Sequence, residues 1–589
     1  MRNWRKAGFI TFVCFLLLMG TIPLKGEAKK QPVYYDKYSQ VDVGKDGMVA
    51  TAHPLASEIG ADVLRKGGNA VDAAVAIQFA LNVVEPMMSG IGGGGFMMVY
   101  DNETKKTTII NSRERAPAGA TPDMFLDKNG KPIPFSIRST GGSAVGVPGT
   151  LKGLEEALHI WGTRPLEKLI TPAIKLADKG FPIDSVLANA IKDHRDKLSQ
   201  TAAKDVFLPN GKPLEEGDIL VQKDLAKTFK LIRSKGTDAF YHGEIATAIA
   251  ETVQNFGGSM TKEDLRNYNT TIDEPIWGEY KGYKIASMPP PSSGGVFLLQ
   301  MLKILDDFNL SQYDIQSVEK YHLLAEIMHL AYADRAAYAG DPEFVNVPLK
   351  GLLHDDYIKE RQQLISLDRV NHDVTAGDPW KYEQTTAHNE VTNMIDDRQD
   401  GETTHFTVAD RWGNVVSFTT TIEQLFGTGI LVPEYGIILN NELTDFDAVP
   451  GGANEVQPNK RPLSSMTPTI IFADEKPVLT VGSPGGATII SSVLQTILNT
   501  FEYDMELKAA VEEPRIYTNN LSSYRYEEEI PPHIIEQLNE MGHRFGQSPT
   551  TIGNVQSILI DHQKGMFKGV ADSSRNGAAI GITLKGKQK

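Results

Sequence analysis

The sequence predicts a protein of the α/β class, because helical and strand-like patterns follow one another along its 589 residues. Residues 70–84 are rich in Ala, Val and Ile and follow Asn69, a residue type that caps helices; their apolar side chains on nearly every face predict a buried helix. Residues 96–100 form a short apolar run that predicts a buried strand. Residues 405–409 and 415–422, on either side of a turn at 410–414, predict a β-hairpin.

The first 28 residues have the form of a secretory signal peptide. Arg2, Arg5 and Lys6 precede an apolar run at 9–19, and Gly26-Glu27-Ala28 offers small residues for cleavage. The run is shorter than the roughly 20 apolar residues that a membrane-spanning helix needs. The sequence therefore predicts a secreted chain that begins after Ala28 and has no membrane anchor once the signal is removed.

Further elements are predicted in order between the signal and the hairpin. They are a helix at 55–66 ended by Gly67-Gly68, a strand at 107–110, a largely helical region at 150–270, and an alanine-containing helix at 318–338. From about 370 to 402 the chain is polar, acidic and poor in apolar residues, which predicts an exposed, flexible leader directly before the hairpin.

Charge and cysteine content exclude several classes of function. The 59 Lys and Arg against 74 Asp and Glu give a net charge of −15, so long-range repulsion from phosphate makes nucleic acid an unfavourable partner. The one cysteine, Cys14, lies in the signal. The mature chain therefore has no disulfide, no thiolate nucleophile and no cysteine-bound metal, and its nucleophile must be an oxygen or a nitrogen.

Three familiar motifs are absent or lie in the wrong context. Gly90–Gly95 matches G-x-G-x-x-G, but a helix precedes it and a strand follows, whereas a dinucleotide site requires the reverse order. His322, Glu326 and His329 share one helical face, yet the surrounding alanines favour a buried polar network over zinc. No G-x-S-x-G occurs. We therefore expect no metal and no cofactor.

Thr403 is the candidate nucleophile. A threonine hydroxyl needs a base, and the chain's own α-amine, with a pKa near about 8, can serve when the threonine is N-terminal. Cleavage between Glu402 and Thr403 would place that threonine at the start of a rigid strand behind a flexible leader. From these residues alone an ordinary strand threonine remains the alternative. A similar pair, Thr385-Thr386, has no strand after it.

The residues around Thr403 closely resemble the γ-glutamyltranspeptidase signature, a family of N-terminal nucleophile hydrolases. The resemblance extends over nearly the whole mature chain and rests on several motifs in the right order: Thr403-Thr404-His405-Phe406-Thr407-Val408, Gly413-Asn414-Val415-Val416-Ser417, Thr419-Thr420-Thr421-Ile422-Glu423, Asn440-Asn441, Pro458 to Met466, and Gly482-Ser483-Pro484-Gly485-Gly486. It implies a four-layer α/β/β/α sandwich, formed jointly by a large subunit (29–402) and a small subunit (403–589) that remain together as a heterodimer.

The resemblance also implies a role for each site residue. Thr403 would attack the γ-glutamyl carbonyl, Thr421 would orient it, and Gly485 and Gly486 would supply the oxyanion hole. The substrate's α-carboxylate would be bound by Arg113, Ser464 and Ser465, and its α-ammonium by Asp445, Glu442 and Glu423. Arg575 resembles a structural, ion-pairing arginine. Many members have Asn at the position of Glu423 and Gln at that of Glu442, which leaves the role of Glu423 open.

These features imply transfer of a γ-glutamyl group to water, an amino acid or a peptide; glutathione, glutamine and poly-γ-glutamate all remain open as donors. Two alternatives are an N-terminal nucleophile acylase of β-lactam side chains and an uncleaved, inactive surface binding protein. Members with a lid carry a longer, aromatic loop after the position of Asp445. Here only residues 446–457 separate Asp445 from Pro458, which predicts an open cleft.

Overall fold

The computed structural model describes residues 38–383, 401–519, 521 and 523–584 of the chain. The predicted signal peptide, Thr385-Thr386 and most of the predicted leader lie outside these residues. Over the part of the chain that is described, no helix has the length and apolar character needed to cross a membrane.

Most helices precede the hairpin, as the sequence predicts. Up to residue 266 they are α1 (Pro54–Arg65), α2 (Ala70–Val84), α3 (Phe135–Arg138), α4 (Thr150–Trp161), α5 (Leu166–Lys179), α6 (Ser185–Asp193), α7 (Arg195–Ser199), α8 (Ala203–Phe207), α9 (Lys223–Lys235), α10 (Asp238–Tyr241), α11 (Glu244–Asn255) and α12 (Lys262–Arg266). The others are α13 (Gly294–Asp306), α14 (Val318–Tyr338), α15 (Leu349–Leu352), α16 (Asp355–Gln362), α17 (Ile489–Phe501), α18 (Leu507–Glu512) and α19 (Pro532–Glu540).

Within the described residues, two seven-stranded antiparallel sheets form the centre of the fold. The first sheet has the order β20 (Ala578–Ile582), β2 (Gly47–Thr51), β10 (Thr403–Asp410), β11 (Val415–Thr421), β3 (Gly94–Asp101), β4 (Lys106–Asn111), β7 (Thr271–Asp273). The second has the order β1 (Val41–Gly44), β19 (Met566–Ala571), β18 (Gln556–Asp561), β15 (Lys476–Gly482), β14 (Thr469–Ala473), β9 (Tyr283–Ser287), β8 (Ile276–Tyr280). Three strand pairs lie outside them: β5 (Phe181–Pro182) with β6 (Ile219–Leu220), β12 (Leu431–Val432) with β13 (Ile437–Ile438), and β16 (Ile516–Thr518) with β17 (Tyr524–Tyr526).

Three apolar cores join these elements into four layers. The core between the sheets contains Met98 from the first sheet and Ile470 from the second. One outer core packs α1, α2, α4 and α5 on the first sheet, and the other packs α13, α14 and α17 on the second. This arrangement is the α/β/β/α sandwich that the resemblance implies, and the prediction of the fold class is confirmed.

The predicted elements occur within about two residues of their expected ends. Asn69 forms a capping box at the start of α2, whose residues are all buried, and the hairpin pairs β10 with β11. Gly90–Gly95 include the turn between α2 and β3 and the first two residues of β3. A helix therefore precedes the motif and a strand follows it, as predicted.

The prediction of an exposed leader from about residue 370 is wrong for 370–383. Val370, Val374 and Trp380 are buried, and the Gly377 N–H donates to Asp334 Oδ1 at 3.0 Å. Val374 packs beside α14, Trp380 packs beside α14 and α15, and the Val370 N–H donates to the Met541 carbonyl. Residues 384–400 of the predicted leader lie outside the described residues.

Candidate active site

Thr403 is the first residue of β10 and is buried. Side chains alternate along a strand, so Thr403, His405 and Thr407 face the same side. Thr407 Oγ1 lies within hydrogen-bond distance, 2.9 Å, of Thr480 Oγ1 in β15, which identifies that side as the space between the two sheets. Thr403 therefore lies at the end of the inter-sheet layer, directly opposite Thr421 in the register of β10 and β11.

The Thr421 hydroxyl connects the hydroxyl of Thr403 to the peptide bond between Glu402 and Thr403. Thr403 Oγ1 donates to Thr421 Oγ1 at 3.4 Å, and Thr421 Oγ1 donates to the Glu402 carbonyl at 2.8 Å. The Glu423 N–H donates to the same hydroxyl at 2.8 Å. A hydroxyl has one donor and two acceptor positions, so this network uses all three and fixes the direction of each hydrogen bond.

Gly485 and Gly486 reach the same point from the second sheet. Gly482, at the end of β15, lies against the His405 ring, so the residues that follow it approach the beginning of β10. Gly485 and Gly486 have φ values of +125° and +55°, and a Cβ on Gly486 would lie 2.8 Å from the Gly401 nitrogen. Only glycine suits this conformation and this close approach, and it leaves the backbone N–H groups accessible.

Arg113 lies 1% exposed in the wall of the cavity that contains Thr403, so it is not a solvated surface arginine. Its guanidinium donates to Glu442 Oε1, to Asp445 Oδ2 at 2.5 Å, and to the carbonyls of Pro462 and Leu463 at 3.2 and 3.0 Å. Four of its five N–H groups are thus engaged without substrate. Although burial disfavours the cation, Glu442 and Asp445 raise the pKa of Arg113.

The acids beside Arg113 are strongly perturbed. Burial raises the pKa of Glu442 to about 7, against the lowering effect of Arg113. Burial, followed by repulsion from Asp445 and Glu442, raises the pKa of Glu423 well above its usual range. Glu423 is 5% exposed, its Oε2 has no hydrogen-bond partner among the described residues, and its φ of +76° is unusual for a non-glycine residue.

Ser464 and Ser465 line the same cavity, which has a volume of about 220 Å³. Ser464 Oγ accepts a hydrogen bond from the Met466 N–H at 3.1 Å, and Ser465 Oγ accepts one from Arg335 Nη2 at 2.9 Å. Both hydroxyls therefore act as acceptors toward the protein, which leaves their protons for a ligand oxygen. No residue from 446–457 lines the cavity, and Phe446 is buried, in agreement with the predicted absence of a lid.

The structure thus brings the ten predicted catalytic and binding residues to one region, and it adds three that the sequence analysis missed. Glu114 is fully buried 4.0 Å from Arg113, and its place in a charged triplet just after β4 was the available signal. Arg335 was also detectable, because it is a charged residue within the alanine-containing part of α14. Lys197 donates to the carbonyls of Leu425 and Gly427 at 2.7 and 2.9 Å, and nothing in the sequence indicates this contact.

Arg575 contacts the predicted cleavage site directly, whereas the sequence analysis gave it only a structural role. Its Nη1 donates to the Thr403 carbonyl at 3.0 Å, and its Nη2 donates to Glu402 Oε2 at 2.5 Å. Arg575 therefore contacts both residues of the bond predicted to be cut.

The histidines of α14 form a polar network, the alternative that the sequence analysis favoured over zinc. His322 Nδ1 lies 2.8 Å from His543 Nε2, and His329 Nε2 lies 3.2 Å from Thr518 Oγ1. Over the described ranges, no group of three or more His, Cys, Asp or Glu side chains has a geometry that could hold a metal ion.

Comparison with known proteins agrees with this geometry. A sequence profile of the family described as gamma-glutamyltranspeptidase matches residues 56–582. The glutathione hydrolase proenzyme of Bacillus subtilis (strain 168) is 77% identical over 586 residues, covering 100% of both chains. The glutathione hydrolase proenzyme of Escherichia coli (strain K12) is 41% identical, covering 88% of each. A solved cephalosporin acylase from Bacillus halodurans has a TM-score of 0.82 at 28% identity, covering 95% of this chain and 100% of that one. On this evidence, the chain belongs to the γ-glutamyltranspeptidase family.

Proposed function

We propose that the chain is a secreted proenzyme that cuts itself before Thr403 and then hydrolyses or transfers γ-glutamyl groups, with glutathione, glutamine and γ-glutamyl peptides as donors. One observation carries the proposal. The Thr403 hydroxyl, held by Thr421 beside the Glu402 carbonyl, lines a cavity that also contains Arg113 and Asp445. The nucleophile and a pair of opposite charges for an amino-acid head group therefore share one space.

Maturation follows from the contacts of the uncut bond. Thr403 Oγ attacks the Glu402 carbonyl carbon, the C–N bond breaks, and the acyl group moves to the hydroxyl oxygen as an ester. The nitrogen takes up the hydroxyl proton and becomes the α-amine of Thr403, and water hydrolyses the ester to give the Glu402 carboxylate and restore the Thr403 hydroxyl. Thr421 Oγ1, which donates to the Glu402 carbonyl at 2.8 Å, stabilises the negative charge that develops on that oxygen.

The strand order supports a large subunit (29–402) and a small subunit (403–589) that stay together as a heterodimer. In the first sheet, β2 from the large subunit pairs with β10 and β20 from the small one, and β3 pairs with β11. Separation would break hydrogen-bonded ladders on both sides of the hairpin and expose the inter-sheet core. Removal of residues 1–28 and export precede this step in the proposal.

Catalysis then reuses the same atoms. The free α-amine of Thr403 takes the hydroxyl proton while Oγ attacks the γ-glutamyl carbonyl, and the backbone N–H groups of Gly485 and Gly486 stabilise the oxyanion. The amine gives the proton to the leaving nitrogen as the C–N bond breaks. Water or an acceptor amine then attacks the γ-glutamyl-Thr403 ester, and the group is transferred.

Substrate binding replaces two ion pairs within the protein by two ion pairs with the substrate. Without substrate, Arg113 donates to Asp445 and Glu442. A bound amino-acid head places its α-carboxylate on Arg113, with the Ser464 and Ser465 hydroxyls donating to it, and its α-ammonium on Asp445. Glu423, whose pKa is raised by burial, lines the same cavity, and an arriving ammonium would favour its charged form. A β-lactam side chain without an amino-acid head would leave Arg113 paired with Asp445 and Glu442 and would use neither charge, which argues against an acylase.

Thr403→Ala and Thr403→Ser test the proposal, with Thr386→Ala as the control. The alanine variant should remain one uncut, inactive chain, because the hydroxyl starts both cleavage and catalysis. The serine variant should be cut and keep some activity, and the control should be cut normally. Intact-mass measurement of the purified proteins decides the result. Two subunits from the alanine variant would reject the proposal, and so would an uncut but active unmodified chain.

A further inference from the structure

A cation lies in the wall of the cavity of Thr403, at its border with a second cavity. Arg525 of β17 lines the cavity of Thr403, together with Tyr517, Asn519 and Ser523. It also lines a second cavity of about 370 Å³, whose described lining includes Glu402, Gly485 and Arg575 and none of Arg113, Glu442, Asp445, Ser464 or Ser465. Arg525 therefore lies where the cavity of the predicted glutamyl-binding residues adjoins the second cavity.

The two cavities meet at two residues. Gly401 and Arg525 are the described residues that line both. In the uncut chain, Gly401 packs against the oxyanion glycines, since a Cβ on Gly486 would lie 2.8 Å from the Gly401 nitrogen. Cutting after Glu402 frees the chain end that contains Gly401. Movement of that end would connect the cavities, with Arg525 at their junction.

The position of Arg525 is set by a supported aromatic platform. Tyr517 and Arg525 are directly paired across β16 and β17, and the guanidinium carbon lies 5.5 Å from the centre of the Tyr517 ring. Tyr517 is buried and packs edge-on against Tyr332 with ring centres 5.6 Å apart. Tyr332 in turn donates to the Ala487 carbonyl at 2.5 Å. A cation is therefore held at a fixed place next to the oxyanion glycines.

We propose that Arg525 binds a carboxylate on the amine side of the γ-glutamyl bond, in the donor's leaving group and in the incoming acceptor. The inference rests on the proposed function, because it takes Thr403 as the point where the bond is cut. The glutamyl head occupies the side of Arg113, so the leaving amine extends toward the second cavity. Peptides and free amino acids carry a carboxylate there, whereas neutral amines do not. Arginine binds carboxylates through paired N–H groups.

Two donors that differ by one carboxylate test this inference. They are γ-glutamyl-p-nitroanilide, whose leaving group is neutral, and γ-glutamyl-3-carboxy-4-nitroanilide, whose leaving group is anionic. The measured quantity is kcat/KM for the anionic donor divided by kcat/KM for the neutral donor. In the mature enzyme, Arg525→Gln should lower this ratio by about tenfold. Arg525→Lys should keep most of the ratio. Arg411→Gln, which removes an exposed arginine on the β10–β11 turn, should leave it unchanged.

The acceptor side gives an independent arm. With the neutral donor, transfer to glycylglycine should fall in Arg525→Gln, while transfer to glycylglycinamide should stay the same. An unchanged ratio in Arg525→Gln would overturn the inference. An equal loss for both donors would also overturn it, because it would assign Arg525 a purely structural role. If the unmodified chain turns over neither donor, the proposed function itself fails, which is a distinct outcome.

Discussion

Replacing Arg113 by alanine should destabilise the fold as well as weaken substrate binding. The guanidinium lies between Glu442 and Glu114, which are 1% and 0% exposed, while Asp445 is 25% exposed and keeps contact with water. Loss of the cation therefore leaves two buried carboxyl groups without their partner. Breaking a buried ion pair by removing one side costs about 3–5 kcal/mol.

The size of the thermal shift follows from the length of the chain. For 589 residues, an unfolding entropy of about 2.1 cal/mol/K per residue gives roughly 1.2 kcal/mol/K in total. A loss of about 3–5 kcal/mol then lowers Tm by roughly 2.5–4 °C. Tm should be measured in chains that also carry Thr403→Ala, because this substitution should keep the chain uncut, as it is in the structure. Arg411→Ala serves as the surface control.

The stability lost in Arg113→Ala should depend on pH in a definite direction. The folded-state pKa of Glu442 is raised to about 7, above about 4.3 for an unfolded glutamate, so the folded chain holds the extra proton between these values. Stability therefore falls as pH rises through that window. Without Arg113 the folded-state pKa rises further, so the Tm deficit should be larger at pH 9 than at pH 6. Adding Glu442→Gln should recover part of it. A deficit that is the same at both pH values, or that Glu442→Gln fails to reduce, would refute this reasoning.

Three further predictions concern the same cleft. Thr421→Val should slow self-cleavage by about 10²-fold or more, because it removes the hydroxyl that donates to the Glu402 carbonyl. Thr421→Ser should be cut at a rate close to normal. Both rates follow from a time course of intact mass, and a valine variant as fast as the unmodified chain would contradict this prediction. Glu423→Asn should leave Tm unchanged or higher, since Asn tolerates positive φ, yet raise KM for γ-glutamyl anilides by about tenfold; a large fall in Tm would be the opposite result. The mature enzyme should release glutamate from poly-γ-glutamate, and release should increase with salt as charge repulsion is screened; turnover of glutathione without any turnover of the polymer would show that the cleft is not open.

The parts of the fold that local patterns determine were predictable. The side chain of Asn69 caps the start of α2, and the glycines after α1 end that helix through their backbone geometry. The alternation of 405–422 fixes the hairpin and the pairing of Thr403 with Thr421. The segment 370–383 was wrongly predicted for a related reason. Its composition is polar, but burial depends on a few side chains such as Trp380 that fit gaps made by distant helices. Composition averages over those contacts and cannot detect them.

The charges of the site show where local reasoning stops. The sequence places Arg113 in a charged triplet, where exposure is the ordinary expectation, and only the fold brings Glu442 and Asp445 to its guanidinium from more than 300 residues away. The same fold raises the pKa of Glu423 by burying it near those acids. Three carboxyl groups packed around the single guanidinium of Arg113 are a poor choice for stability alone. It would become favourable on the proposed entry of a zwitterion, because the ammonium would compensate the acids and the carboxylate would take their place on Arg113. The crowding of acids around Arg113 in the cleft therefore supports a natural ligand that carries both charges.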